Sequence, residues 1–327
     1  MKTLIITQKE VKKVLTPSVA NDIVEKAFRA YGLGQVDMPA KSYITFKKGD
    51  LRAMLAYIHG EGFDIAGIKS VNVHPENGLI GLPSVMAVVI LTDPETGFPL
   101  AILDGTYLTT MRTGAAGAVA AKFLSRKDAE VGGFVGCGVQ ARSLLACTME
   151  VRPIKALKVW QRNPESESTQ RFCQWAQTTY KVEAVTSHLI DDITTGVDIL
   201  FTTTPSRQPI VNKVSPGTHI NAIGADAEGK QKINLNILKK AKLIIDNWKQ
   251  ASHSGEINVP VGKKRLSKKN IYAELGEIAA GKKDGRTSDR EITLFDSTGL
   301  AIQDISCAFG VYMQMNGKKS LKRVQLF

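Results

Sequence analysis

The segment Val131-Gly132-Gly133-Phe134-Val135-Gly136-Cys137-Gly138-Val139-Gln140-Ala141 joins an apolar strand to a helix through a glycine turn. A turn of this kind can cradle a pyrophosphate. Gly136 permits the sharp turn, Gly138 lets the backbone approach the phosphates, and small Ala141 lets helix and strand pack closely. The helix, read from Arg142 to Glu150, aims its unpaired N–H groups and positive dipole end at the anion. The plain alternative is a structural βα turn that binds nothing.

Other strand ends carry groups that suit the same ligand. In a dinucleotide fold the second strand often ends on an acid that holds a ribose 2′-hydroxyl. Here Leu157-Lys158-Val159-Trp160 is followed by Gln161 and Arg162, and no acid is present. An arginine there can pair with a 2′-phosphate, which tilts the expectation from NAD(H) to NADP(H); otherwise Arg162 is a surface residue on a loop. Thr203 and Thr204 end one later strand, and Ile223, Gly224 and Asp226 end another. Carboxyl ends of strands in open α/β sheets line the ligand crevice. Asp226 is therefore either a crevice acid or a helix-capping turn residue. Asp296-Ser297-Thr298-Gly299 forms a third edge of this type.

The elements that must hold these groups follow from periodicity. Residues 8–31 recur at helical spacing, with Pro17 breaking the run in two. From about 41 to 103 the pattern is of strands, at Tyr43–Phe46, Arg52–Ile58, Ala66–Val73, Ser84–Thr92 and Pro99–Asp104, with a hairpin signal at Asp93-Pro94-Glu95-Thr96-Gly97. This part reads as α+β with a largely antiparallel sheet. A helix rich in small residues spans about 105–124, including Thr113-Gly114-Ala115-Ala116-Gly117-Ala118. So many small side chains suggest close packing. From 131 onward strands and helices alternate, which argues for a parallel doubly wound (Rossmann) sheet. Leu300–Met315 is apolar at helical spacing and can return to the first part.

Composition limits the alternatives. A chain of 327 residues fits one large domain or two ordinary ones, and 43% hydrophobic with 23% charged residues is a globular balance. No run of about 18 apolar residues suggests a membrane span. The N-terminal apolar stretch is too short for a signal peptide. Cys137, Cys147, Cys173 and Cys307 have neither disulfide-scaffold nor zinc spacing, so no metal is expected and a reducing cytoplasm fits best. The net charge of +12 reads as solvated surface with some attraction for anionic ligands. No RNA motif or helix-turn-helix accompanies the lysines, so nucleic acid is not expected.

Several ordered motifs carry a further signal: Met38-Pro39-Ala40-Lys41, Asp50-Leu51-Arg52, Ile68-Lys69-Ser70, Gly81-Leu82-Pro83-Ser84, Met111-Arg112-Thr113-Gly114, Thr203-Thr204-Pro205-Ser206-Arg207, Asn221-Ala222-Ile223-Gly224-Ala225-Asp226 and Phe295-Asp296-Ser297-Thr298-Gly299-Leu300-Ala301-Ile302-Gln303-Asp304. Over nearly the whole chain they resemble the ornithine cyclodeaminase/μ-crystallin family, nearest its archaeal alanine dehydrogenase branch. The resemblance implies a homodimer with a substrate-binding and dimerisation domain at 1–112 and 303–327, and a dinucleotide-binding domain at 113–302. It implies that Lys41, Lys69 and Arg112 clamp a carboxylate, that Lys69 also exchanges a proton with the reacting centre, and that Asp226 handles the amino group or water. It implies a cofactor set of Arg112, Thr113, Gly136, Gly138, Val139, Gln140, Gln161, Arg162, Thr203, Thr204, Ile223, Gly224, Lys230 and Ser297. By themselves, Lys69 reads as a surface lysine and Arg112 as a helix-surface or salt-bridge residue.

One departure discriminates within the family. Arg52 stands where ornithine cyclodeaminases carry a glutamate for the distal ammonium. A cation there repels that ammonium and can help hold a carboxylate or keto oxygen. The expected activity is reversible NAD(P)-dependent oxidative deamination of L-alanine to pyruvate and ammonia. The alternatives are a ketimine or pyrroline-2-carboxylate reductase, an ornithine cyclodeaminase, and a binding protein without turnover.

Overall fold

Two sheets organise the computed structural model, in which residues 1–327 are described except Asp226 and Lys319. The chain divides into two units, Met1–Arg112 with Leu300–Phe327, and Thr113–Gly299.

In the first unit, the strands are β1 (Thr3–Ile6), β2 (Val36–Asp37), β3 (Ser42–Phe46), β4 (Gly49–Gly60), β5 (Phe63–Val73), β6 (Val85–Thr92) and β7 (Pro99–Asp104), with β16 (Lys322–Val324) returning from the far end of the chain. Their order is β16-β1-β7-β6-β5-β4-β2, and β3 also pairs with β4. Every pairing is antiparallel except β1 with β7. β4 and β5 meet at Glu61-Gly62, both with positive φ, the conformation that matches a two-residue hairpin to strand twist.

Alternation along β4 and β5 puts Arg52, Met54, Ala56 and Ile58 on the same buried face as Ile65, Lys69 and Val71, with Met54 opposite Lys69. The C-terminal helix, Ala301–Met315, packs over this face and against α2 (Pro17–Gly32). The preceding helix, α1 (Gln8–Val14), stops before Thr16, whose hydroxyl caps α2 with Pro17 in its first turn. The opposite face of the sheet leaves Leu55 and Val88 exposed. α3 (Thr106–Leu124) belongs to the first unit through Arg112 and to the second from Thr113.

The second unit holds β8 (Val131–Val135), β9 (Ala156–Trp160), β10 (Glu183–Thr186), β11 (Ile199–Thr202), β12 (His219–Ala222), β13 (Lys242–Ile245), β14 (Ile271–Glu274) and β15 (Thr293–Asp296). All pairings are parallel, in the order β10-β9-β8-β11-β12-β15-β13-β14. This is a doubly wound Rossmann sheet, with α4 (Val139–Met149) and α5 (Glu167–Tyr180) as its first crossovers. Phe134 stacks on Phe201 at 4.6 Å and meets Phe172 edge-on at 5.3 Å, in a core between β8, β11 and α5.

The small residues of α3 meet α4. A Cβ on Gly114 would come within 2.4 Å of the Ser143 carbonyl oxygen, so only glycine allows this approach. The structure also corrects details of the sequence reading. α4 begins at Val139 rather than Arg142, because Gly138 already serves as its N-cap. β1, β2, β10, β14 and β16 were not foreseen; each is only two to four residues long.

Candidate active site

β8 and β11 are neighbours whose crossovers run in opposite directions, so their carboxyl ends flank the point where strand order reverses. Gly136 follows β8 with φ +100°, and a Cβ there would lie 2.8 Å from Thr203 Oγ1. Thr203 donates that hydroxyl to the Gly136 carbonyl at 3.0 Å. Gly138 differs. Its φ is −73°, and a Cβ would meet nothing within 4 Å among the described residues. Neither backbone strain nor packing requires glycine at this position. The space it leaves is where a ligand's phosphates can approach the backbone. No side chain caps the N-terminus of α4, so its first N–H groups face the same turn. Ala141 is fully buried between helix and sheet.

A cleft of about 820 Å³ opens over this turn, lined by Gly136, Gly138, Gln161, Arg162, Thr203, Thr204 and Arg207 among others. Among the described residues, none that lines it is acidic. These features fit a dinucleotide. Gln161 has a bracing role: its Oε1 accepts from the Cys137 N–H at 3.3 Å and from Cys137 Sγ at 2.7 Å, while Nε2 donates to Ser168. Arg162 and Arg207 are exposed, and Arg207 also donates to the Glu228 carbonyl. Val139, in the first turn of α4, is 69% exposed despite being apolar; Gln140 beside it accepts from the Ser143 hydroxyl.

At the other strand ends, Ile223 is buried, and a Cβ on Gly224 would press on the Thr204 carbonyl. Ser297 is buried and donates its N–H to the Ala222 carbonyl. The Lys230 carbonyl is held by Asn258 Nδ2 at 2.8 Å. Asp296 is sealed inside, its Oδ2 accepting from the Ile257 N–H. Asp226 lies outside the described residues.

In the first unit, Lys69 is not on the surface. Its side chain is fully buried, with Nζ 2.7 Å from Asp304 Oδ1 and 3.4 Å from Thr109 Oγ1. Arg112 reaches the same Asp304 oxygen through Nε at 2.9 Å and donates Nη1 to Gln303 Oε1 at 2.7 Å. Burial pulls Lys69 down to about 7, further helped by the charges of Arg112 and Lys41, while Asp304 opposes the shift. Lys41 and Arg112 are thus each close enough to act on Lys69. Arg52 shares the sheet face with Lys69, but its Nε and Nη2 are bound to Asp50 at 2.7 and 3.0 Å and its guanidinium lies over Tyr43. The expected role for Arg52 as a carboxylate holder therefore meets a residue already paired.

Gln303 and Asp304 stand in the sequence only as the end of the family motif that starts at Phe295, and no role was expected of either. Both lie in the first turn of a helix, where an acid is ordinarily read as complementing the dipole. Arg207 was also missed as a cleft residue.

Comparison with known proteins adds to this geometry. The model of the ornithine cyclodeaminase/mu-crystallin family matches residues 1–319. The chain belongs to this family. An alanine dehydrogenase of Archaeoglobus fulgidus, another member, is 47% identical over 330 residues, covering 100% of this chain and 99% of that protein. A solved archaeal alanine dehydrogenase dimer with bound NAD superposes with a TM-score of 0.95 at 47% identity, covering 100% of both chains. Thermococcus litoralis Δ1-pyrroline-2-carboxylate reductase, solved with NADH and L-proline, gives a TM-score of 0.93 at 34% identity, covering 98% of this chain and 100% of that one. Among the described residues, no helix is long and apolar enough to cross a membrane.

Proposed function

We propose that this chain is an NAD(P)-dependent amino-acid dehydrogenase that interconverts L-alanine with pyruvate and ammonia. The observation that carries the reading is the buried Lys69 amine, pulled down to about 7 beside Arg112. Such a group is half-protonated at neutral pH and can both give and take a proton. The 47% identity to an alanine dehydrogenase over the whole chain supports the substrate.

In the synthetic direction, Arg112 and Lys41 hold the pyruvate carboxylate, since guanidinium and ammonium donors suit that anion. Ammonia adds to the carbonyl carbon. The oxygen takes one proton from the added nitrogen and a second from Lys69 and leaves as water, so that the imine is formed protonated. The nicotinamide, when bound, supplies the hydride that reduces the resulting imine. In the reverse direction Lys69 begins as the neutral amine. Asp226 is assigned the proton of the amino group, on the family motif alone. The dinucleotide is assigned to the glycine turn, with Thr113, Gly136, Gly138, Val139, Gln140, Gln161, Arg162, Thr203, Thr204, Ile223, Gly224, Lys230 and Ser297 around it.

NADP(H) is the preferred form on this reading. The cleft offers Arg162 and Arg207 to a 2′-phosphate and, among the described residues, no lining acid to a 2′-hydroxyl. The apolar outer sheet face, with Leu55 and Val88 exposed, supports a homodimer. The four cysteines are free and buried, which suits a reducing cytoplasm.

A second reading is favoured by the Thermococcus relative solved with NADH and L-proline. A pyrroline-2-carboxylate reductase would use the same clamp and amine on a preformed cyclic imine. The deciding experiment measures NADPH oxidation with pyruvate plus ammonium, against pyrroline-2-carboxylate without ammonium. Turnover of the cyclic imine alone would replace the alanine reading with this one.

A further inference from the structure

We propose that Asp304 is a positioning residue: through one carboxylate oxygen it holds the Lys69 ammonium and the Arg112 guanidinium at a fixed spacing, so that the carboxylate clamp and the proton-transferring amine face one substrate together. The inference rests on the dehydrogenase reading for the identity of that substrate.

The geometry is unusual for a structural ion pair. Asp304 Oδ1 accepts from Lys69 Nζ at 2.7 Å and Arg112 Nε at 2.9 Å. The side chains of Lys69 and Asp304 are 1% and 0% exposed. The other oxygen, Oδ2, is buried and has no hydrogen-bond partner among the described residues. Buried carboxylate oxygens are ordinarily satisfied, and an orphan calls for an explanation. Here both donors converge on one oxygen, and that convergence brings two like charges together. Gln303 secures the arrangement by taking Arg112 Nη1, so consecutive residues of one helical turn fix the guanidinium at two points.

Groups from every neighbouring element bear on Lys69. Lys41 and Arg112 repel its charge, Asp304 favours it, and Thr109 offers a hydroxyl. On the strand face beside it, Arg52 is paired with Asp50. Cys307, one helical turn beyond Asp304, has its thiol pushed far up by burial and stays neutral. Asp304 is thus the carboxylate that bears on Lys69, and without it the Lys69 and Arg112 charges would lose the oxygen they share.

Oxamate, an unreactive carboxylate isostere of pyruvate, reads this without turnover. Its affinity for the dinucleotide-loaded enzyme is measured by calorimetry across pH. In the unaltered protein, binding weakens as pH rises through about 7, where Lys69 loses its proton. Asp304→Asn should move that midpoint down by about one pH unit or more, as loss of an opposite charge at this distance does. Asp304→Glu should return the midpoint but bind oxamate about tenfold more weakly, because the amine and guanidinium are displaced by a methylene. A folded Asp304→Asn protein with normal dinucleotide affinity and an unmoved midpoint overturns the proposal. If Asp304→Asn does not fold, wild-type oxamate affinity in Asp304→Glu overturns it alone. Failure of the dehydrogenase reading shows separately, as absent ammonium-dependent turnover with pyruvate while the oxamate midpoint still shifts.

Discussion

Thr203 donates its hydroxyl to the Gly136 carbonyl at 3.0 Å, tying together the carboxyl ends of β11 and β8 where strand order reverses. The same two residues explain the glycine. With φ at +100° and Thr203 Oγ1 2.8 Å from a Cβ, any side chain at 136 is strained twice.

Gly136→Ala should therefore destabilise the protein by about 1–3 kcal/mol and weaken dinucleotide binding. Gly138→Ala meets no atom of the described residues within 4 Å and should leave the melting temperature nearly unchanged while weakening dinucleotide affinity. Melting curves beside cofactor titration read both. Equal loss of stability in the two variants would contradict the distinction between a structural and a ligand-facing glycine.

Much of this cradle was legible in the sequence, because glycine turns and strand–helix alternation are local signals. The cation cluster was not legible from local pattern. Lys69 falls on the inward parity of β5 with Ile65 and Val71, which period two could have exposed, yet a lone strand lysine is ordinarily on the surface. Its partner Asp304 lies far along the chain, and a helix first turn explains an acid there without any site. Asp50 and Arg52, two apart on one strand, share a face, so their pairing was within reach of the same rule.

Lys69→Met should lower kcat by about 100-fold or more, the scale of losing a positioned acid–base group. Cofactor affinity should persist. In the unaltered protein, kcat/KM for alanine oxidation should rise as pH passes through about 7, because the neutral amine is the form that accepts a proton. A flat profile between pH 6 and 8, with chemistry rate-limiting, would remove Lys69 from that role.

Arg162→Ala and Arg207→Ala should each raise KM for NADPH about tenfold, the worth of one charge-assisted hydrogen bond, and leave KM for NADH nearly unchanged. A parallel rise for both cofactors would mean that these arginines hold a part common to the two dinucleotides.

Acid stability should report on His219. It is fully buried, its Nδ1 is 3.0 Å from Thr293 Oγ1, and burial beside Arg286 and Arg152 pulls it down to about 3. The unfolded chain binds a proton near 6.5 and the folded one does not until about 3. The stability contributed by neutral His219 is therefore present above pH 6.5 and is lost as pH falls toward 3, at about 1.4 kcal/mol per unit. Denaturant melts of His219→Gln should show a shallower slope across that range; an unchanged slope would contradict it.

Reductive amination of pyruvate is read by following NADPH absorbance with purified protein, pyruvate and ammonium, and identifying the product. Oxidation is expected only when pyruvate and ammonium are both present, with L-alanine formed in proportion. No ammonium-dependent oxidation, under conditions where the protein binds NADPH, would contradict it.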